Sequence, residues 1–175
     1  KWSFHNTVLA SLWMLAYGCW FNTSKSLICT HLHEVCSLIS NHLSWNISWP
    51  IDLAVHEIEQ GFLRAGFLKT LCAVDGCHTA IEKPQGVENP DSYFNRKHLH
   101  FVNLTAFCNN TARFIHINVG HPGSWHDARV FRMTEVAEHC WKTLNPFYQH
   151  IIGAAAYPLS QYLMTPIRDN GHLTV

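Results

Sequence analysis

Apolar residues recur at helical spacing through the first third of the chain and at strand spacing through its middle. Leu9, Leu12, Trp13 and Ala16 lie three or four apart and predict a helix over 8–16, which Gly18 punctuates. Ile28, Leu32, Val35 and Ile39 repeat the pattern to about Leu43, with Thr23 or Ser24 as its cap. Trp49-Pro50 then breaks the chain, because proline cannot continue a helix and biases the residue before it toward extended geometry. A third helix follows, capped by Asp52, with Val55, Ile58 and Phe62 on one face and an end near Gly66.

From Thr70 the period changes. The spacing predicts a central strand over 71–75, a longer one over 99–108, and its partner over 114–119 across an Asn109-Asn110-Thr111 turn. Helical spacing returns over 126–141 through Val130, Met133, Ala137 and Cys140, and Ile151-Ile152-Gly153 reads as a short buried strand. This order predicts an α/β fold: a mixed sheet with flanking helices over 70–175, preceded by a helical segment over 1–66. The first two helices, with their short turn, outline a helix-turn-helix. Two helices packed as a small apolar cap, with no DNA role, account for the same pattern.

The 175 residues suffice for one domain with a real core plus an accessory segment. Hydrophobic residues make up 47% and charged ones 14%, which excludes a disordered tail. Lys plus Arg and Asp plus Glu balance at 12 each, so any DNA contact has to be local rather than driven by net charge. No run approaches the ~20 apolar residues of a membrane span, and the apolar stretch over 8–21 reads as a core helix. Seven cysteines, an odd number without a repeating spacing, argue for reduced thiols rather than a disulfide framework. The 14 histidines include His31, His33, His98 and His100, and His78 stands near Cys72 and Cys77, yet no Cys-x-x-Cys pair supports a zinc site.

Candidate chemistry gathers at three small-residue turns that end apolar runs. Cys72-Ala73-Val74-Asp75-Gly76-Cys77-His78 puts Asp75 at the mouth of a strand, before a glycine turn. Pro122-Gly123-Ser124-Trp125-His126-Asp127 and Gly153-Ala154-Ala155-Ala156-Tyr157-Pro158-Leu159 follow it. A strand-ending Asp75 that caps its turn, and an Asp127 that caps or matches the dipole of the next helix, are structural readings that stand beside a catalytic one.

In this order the three segments resemble the DDE nuclease core of Harbinger-type transposases and the nuclease-like proteins derived from them, over about residues 24–174. The resemblance implies a ribonuclease-H-like fold and divalent-metal-dependent cleavage of DNA phosphodiesters in the nucleus, with the cytoplasm as the alternative location. It implies two Mg²⁺ or Mn²⁺ ions about 3.5–4 Å apart, held by carboxylates because hard ions prefer oxygen ligands. By motif, Asp75 and Asp127 fall on acidic, metal-holding and catalytic positions, while Ala154 occupies that of a further aspartate. The family's last glutamate lies beyond the stretch matched by Tyr157-Pro158-Leu159 and Thr165-Pro166, and the sequence ends at Val175 ahead of it. The expectation is therefore a degenerate copy that binds metal weakly through Asp75 and Asp127 and has little or no turnover. His78 and His126 adjoin the acids and would orient a carboxylate or a phosphate. Arg96, Lys97 and Arg129, with Arg132, are the expected phosphate contacts if this face meets DNA. The alternative is a non-catalytic domesticated module that binds DNA or a nuclear DNA-binding protein.

Overall fold

The computed structural model describes residues 8, 11, 12, 14, 15, 24–94, 98–138 and 149–167. The chain divides into two compact units, Lys1–Ile47 and Ser48–Val175.

In the first unit the described residues between 8 and 15 are helical, and the remainder of the expected 8–16 helix and its turn lie outside the described residues. Helix α1 spans Lys25–Leu43, where it was expected, and Ser24 caps it by accepting a hydrogen bond from the Leu27 N–H at 3.3 Å. Ile28 and Val35 are its buried positions, and a 3₁₀ turn over Ser44–Asn46 follows.

The second unit opens with helix α2, Leu53–Arg64, so the break between units precedes the helix that the sequence pattern grouped with the N-terminal segment. Its apolar face buries Ile58 and Phe62, and the helix packs on the first strand. Asp52 does not cap it as expected: the residue sits at φ 49° and its side chain makes no capping hydrogen bond. The Ile51 and Asp52 carbonyls instead accept from the Ala54 and Val55 N–H groups.

The sheet has the order β3-β2-β1-β4-β5, formed by β1 (Thr70–Ile81), β2 (His100–Cys108), β3 (Phe114–Pro122), β4 (His150–Gly153) and β5 (Leu163–Met164). The first three strands are antiparallel neighbours, whereas β4 runs parallel to β1 and β5 parallel to β4. Strand β1 is longer than the apolar run 71–75, and Gly76 is no turn. It pairs with Thr105, and the ladder with β2 continues to Ile81↔His100. The turn between β2 and β3 is where the sequence placed it, because the Asn109 side chain accepts from the Thr111 N–H, the Thr111 hydroxyl and the Arg113 N–H.

The helix expected over 126–141 is broken. Helix α3 covers only Asp127–Arg132, and residues 135–138 are helical again. Thr134 makes the break, its hydroxyl donating to the Phe131 carbonyl at 2.7 Å and accepting from the Ala137 N–H at 3.1 Å. Strand β5 carries only two residues, too short for any periodicity, and it is set by the Ser160 hydroxyl, which accepts from the Tyr162 and Leu163 N–H groups.

The core joins Leu71, Cys72 and Val74 of β1 to Phe107, Ile115, Phe131, Ile151, Tyr157 and Leu163. On β2 every second residue is buried, Phe101, Asn103, Thr105 and Phe107, so this strand presents one face inward in which apolar ends flank two polar residues.

Candidate functional site

Strand β4 stops beside β1 at the pair Val74↔Gly153, and Asp75 is the next residue along β1. The core ends there, and Asp75 is exposed, its carboxylate accepting a hydrogen bond from the Gly76 N–H at 2.9 Å. It lines a cleft of about 830 Å³ whose wall includes Phe67, Leu68, Ile152, Gly153 and Ala154. Ala154, where the resemblance leads one to expect a further aspartate, thus shares a cleft with Asp75, and it presents a methyl group.

Asp127 arrives from the other direction, as the first residue of α3 after the tight Pro122–His126 loop. Its carboxylate lies over the backbone of Gly76: a Cβ on that residue would come within 2.5 Å of the Asp127 Oδ1 and 3.4 Å of the Tyr157 hydroxyl oxygen. Gly76 is therefore needed for close approach, within a strand, rather than for a turn. Tyr157 is held there by its N–H, which donates to the Ala154 carbonyl at 3.0 Å, and it is 3% exposed. Its hydroxyl is buried and has no hydrogen-bond partner among the described residues. Burial pushes the phenol well above its ordinary range, and the negative charges of Asp127 and then Asp75 push it further.

Successive strand residues face opposite sides, so Asp75 and the Asp127 that overlies Gly76 lie on the two faces of β1. His78 belongs to the Gly76 face. Its Nε2 lies 3.3 Å from the Asn103 Nδ2, and the Thr105 hydroxyl donates to the Asn103 Oδ1 at 3.4 Å, which gives Asp127 a polar floor rather than an apolar one. His126 is exposed and caps α3 only through its backbone, which accepts from the Arg129 and Val130 N–H groups. Arg129 packs its guanidinium on the Trp125 ring, 3.8 Å from the centroid. Arg132 turns back onto its own helix, donating from Nε to the Ala128 carbonyl at 3.1 Å. Arg96 and Lys97 lie outside the described residues.

Two carboxylates offer hard oxygens that suit Mg²⁺ or Mn²⁺. Their placement on opposite faces of one strand, with a methyl group at Ala154, does not fit a two-ion site. Among the described residues no group of three or more His, Cys, Asp and Glu side chains is arranged to hold a metal ion. The spacing of polar residues did not disclose the roles of Gly76 and Tyr157 in seating Asp127. The signal that points to them is the glycine directly after Asp75, which serves close approach and not a turn.

Residues 74–175 match the family described as DDE superfamily endonuclease. The chain is 28% identical over 136 residues to the Rattus norvegicus protein named "Putative nuclease HARBI1", a span that covers 77% of this chain and 38% of that protein. The Mus musculus protein of the same name is likewise 28% identical, and the Homo sapiens one 27% identical, over the same shares. The chain thus spans well under half the length of these curated relatives. No solved structure gives a significant match. DDE endonucleases depend on divalent metal, and their ribonuclease-H-like cores are mixed sheets with flanking helices, as here. The chain belongs to the DDE superfamily endonucleases.

Proposed function

We propose that this polypeptide is a degenerate nuclease core that meets DNA in the nucleus, keeps partial affinity for one divalent cation at Asp75, and lacks cleavage of its own. The observation that carries the reading is Ala154, whose methyl group lines the cleft beside Asp75. Asp75, the acid that shares the cleft with Ala154, offers the remaining oxygens, and water completes the shell of a single weakly bound Mg²⁺ or Mn²⁺. Loss of a charge-stabilising ligand at such a centre costs several kcal/mol of barrier, which is orders of magnitude in rate. Among the described residues no helix is long and apolar enough to cross a membrane.

Calorimetric titration of Mn²⁺ into the protein, Asp75→Asn and Asp127→Asn tests this, once each is shown to melt cooperatively. Saturable binding that Asp75→Asn abolishes and Asp127→Asn spares supports the remnant site, and Ala154→Asp then tightens it. A folded protein that takes up no Mn²⁺ rules out the metal reading.

A second reading is favoured by the Trp125–Arg129 pair, which is built without help from Asp75: a non-catalytic module that binds DNA, or a nuclear DNA-binding protein, irrespective of metal. Binding unchanged by a chelator distinguishes it.

A further inference from the structure

We propose that the recess beside Asp127 seats one backbone phosphate of a DNA strand, with the Arg129 guanidinium, held flat on Trp125, as its principal contact. The recess holds about 500 Å³ and is lined by Asn89, Ser92, Ser124, Trp125, His126 and Arg129, together with Pro122. None of these side chains is acidic. Glu88, Asp91 and Asp127 adjoin lining residues in the sequence, and of these Asp91 is taken by Lys83 at 2.8 Å, which also holds its carboxyl below the usual range. Arg132, one turn beyond Arg129, is spent on its own helix. Arg129 is exposed, and among the described residues it has no carboxylate partner.

The geometry favours phosphate over a base. A guanidinium on an aromatic face spends its π surface and keeps its in-plane N–H groups, which match a pair of phosphate oxygens. The Trp125 ring is covered by Arg129 and also stacks with His121, centroids 5.3 Å apart and planes 22° apart. A nucleobase would have to displace one of them to stack there. The loop beneath is pinned in advance: the Gly123 N–H donates to the Phe101 carbonyl at 2.9 Å, the Ser124 N–H to the Ser92 carbonyl at 3.3 Å, and the Trp125 N–H to the Pro122 carbonyl at 3.0 Å. Little ordering cost is left for binding, and the Ser124 hydroxyl and His126 ring stand at the rim as further donors. Since His126 leads directly into Asp127, a strand seated here runs past the Asp127 carboxylate. The inference rests on the reading above that this face meets DNA.

The test is fluorescence anisotropy of labelled single-stranded and duplex oligonucleotides over a KCl series, with the full chain, Arg129→Gln, Arg129→Lys, Trp125→Leu and, as a control for charge alone, Arg64→Gln on α2. Arg129→Gln is expected to weaken binding about ten-fold and to reduce the slope of log affinity against log salt by ~0.7 on single strands and ~0.9 on duplex. Arg129→Lys keeps the slope and loses part of the affinity, as does Trp125→Leu, because the charge remains but its plane is no longer fixed. Arg64→Gln leaves both unchanged. If Arg129→Gln binds as the parent chain does, with the same slope, the phosphate site is wrong while the DNA-facing reading stands. If the parent chain binds neither oligonucleotide, both fall, and the Mn²⁺ titration decides the metal site separately.

Discussion

The carboxylate of Asp127 rests on the backbone of Gly76, one residue along β1 from Asp75. This contact brings two acids that lie 52 positions apart in the sequence to neighbouring places on β1, Asp75 as a strand residue and Asp127 from α3 over the next one. It depends on three features of the sequence: a residue without Cβ at 76, a loop tight enough to start α3 beside β2, and a tyrosine that closes the far side.

Gly76→Ala therefore removes the seat of Asp127. The new methyl group would lie 2.5 Å from the Asp127 Oδ1 and 3.1 Å from its Cγ, so the Asp127 side chain has to leave its seat. We expect a loss of about 1–3 kcal/mol in stability from overpacking. Urea denaturation measures it, and a variant as stable as the parent would show that Asp127 moves aside freely.

Tyr157 separates packing from polarity. Its ring packs against Phe131, centroids 5.9 Å apart, while its hydroxyl has no hydrogen-bond partner among the described residues. Tyr157→Phe keeps the ring and is expected to change stability by less than about 1 kcal/mol, since no bond is lost. Tyr157→Ala opens a cavity and is expected to cost about 3–5 kcal/mol. A large loss in the Phe variant, read from the same denaturation curves, would mean that the hydroxyl is bound to Asp127.

The fold and the site were legible in the sequence to different degrees, for physical reasons. Strand β2 and helix α2 bury residues at fixed periods, so Phe101 to Phe107 and Ile58 to Phe62 disclose their elements. Strand β1 was read short because its second half, 75–81, leaves the core and loses the apolar signal, and there the ladder with β2 alone sustains it. The break in the helix at Thr134 is a local hydroxyl bond, invisible to periodicity. At the candidate site, motif order singles out Asp75 and Asp127. Their placement on opposite faces of β1 follows from the alternation at Gly76, which could not be seen while that glycine was read as a turn.

Acid lowers stability through two half-buried histidines. Burial pushes His116 and His150 below the ordinary value of 6.5, with Glu135 opposing part of the effect at His116. The unfolded chain thus takes up these protons at a higher pH than the folded one. Their contribution is fully present above about pH 6.5 and is lost as pH falls through the lower folded values. Melting temperature is expected to fall between pH 7.5 and 5, and His116→Leu, which removes a buried Nε2 without a partner among the described residues, is expected to flatten the fall. An equal fall in the variant would assign it to other groups.

Gly123 offers the sharpest test of how the loop is built. A Cβ there would lie 2.6 Å from both the Phe101 Cβ and the Phe101 carbonyl oxygen, and backbone of a strand in the middle of the sheet cannot yield as a flexible side-chain end can. The same carbonyl accepts the Gly123 N–H, so the methyl group and this hydrogen bond compete for one place. Gly123→Ala should lift the loop off β2 and carry Trp125, Arg129 and Asp127 with it. We expect about 1–3 kcal/mol of lost stability together with lost oligonucleotide binding, whereas Gly86→Ala, in open space at φ 74°, is expected to cost some stability through backbone strain and to leave binding intact. If Gly123→Ala binds DNA as the parent chain does, the loop tolerates displacement, and a pre-set recess is no longer the reason for affinity at this face.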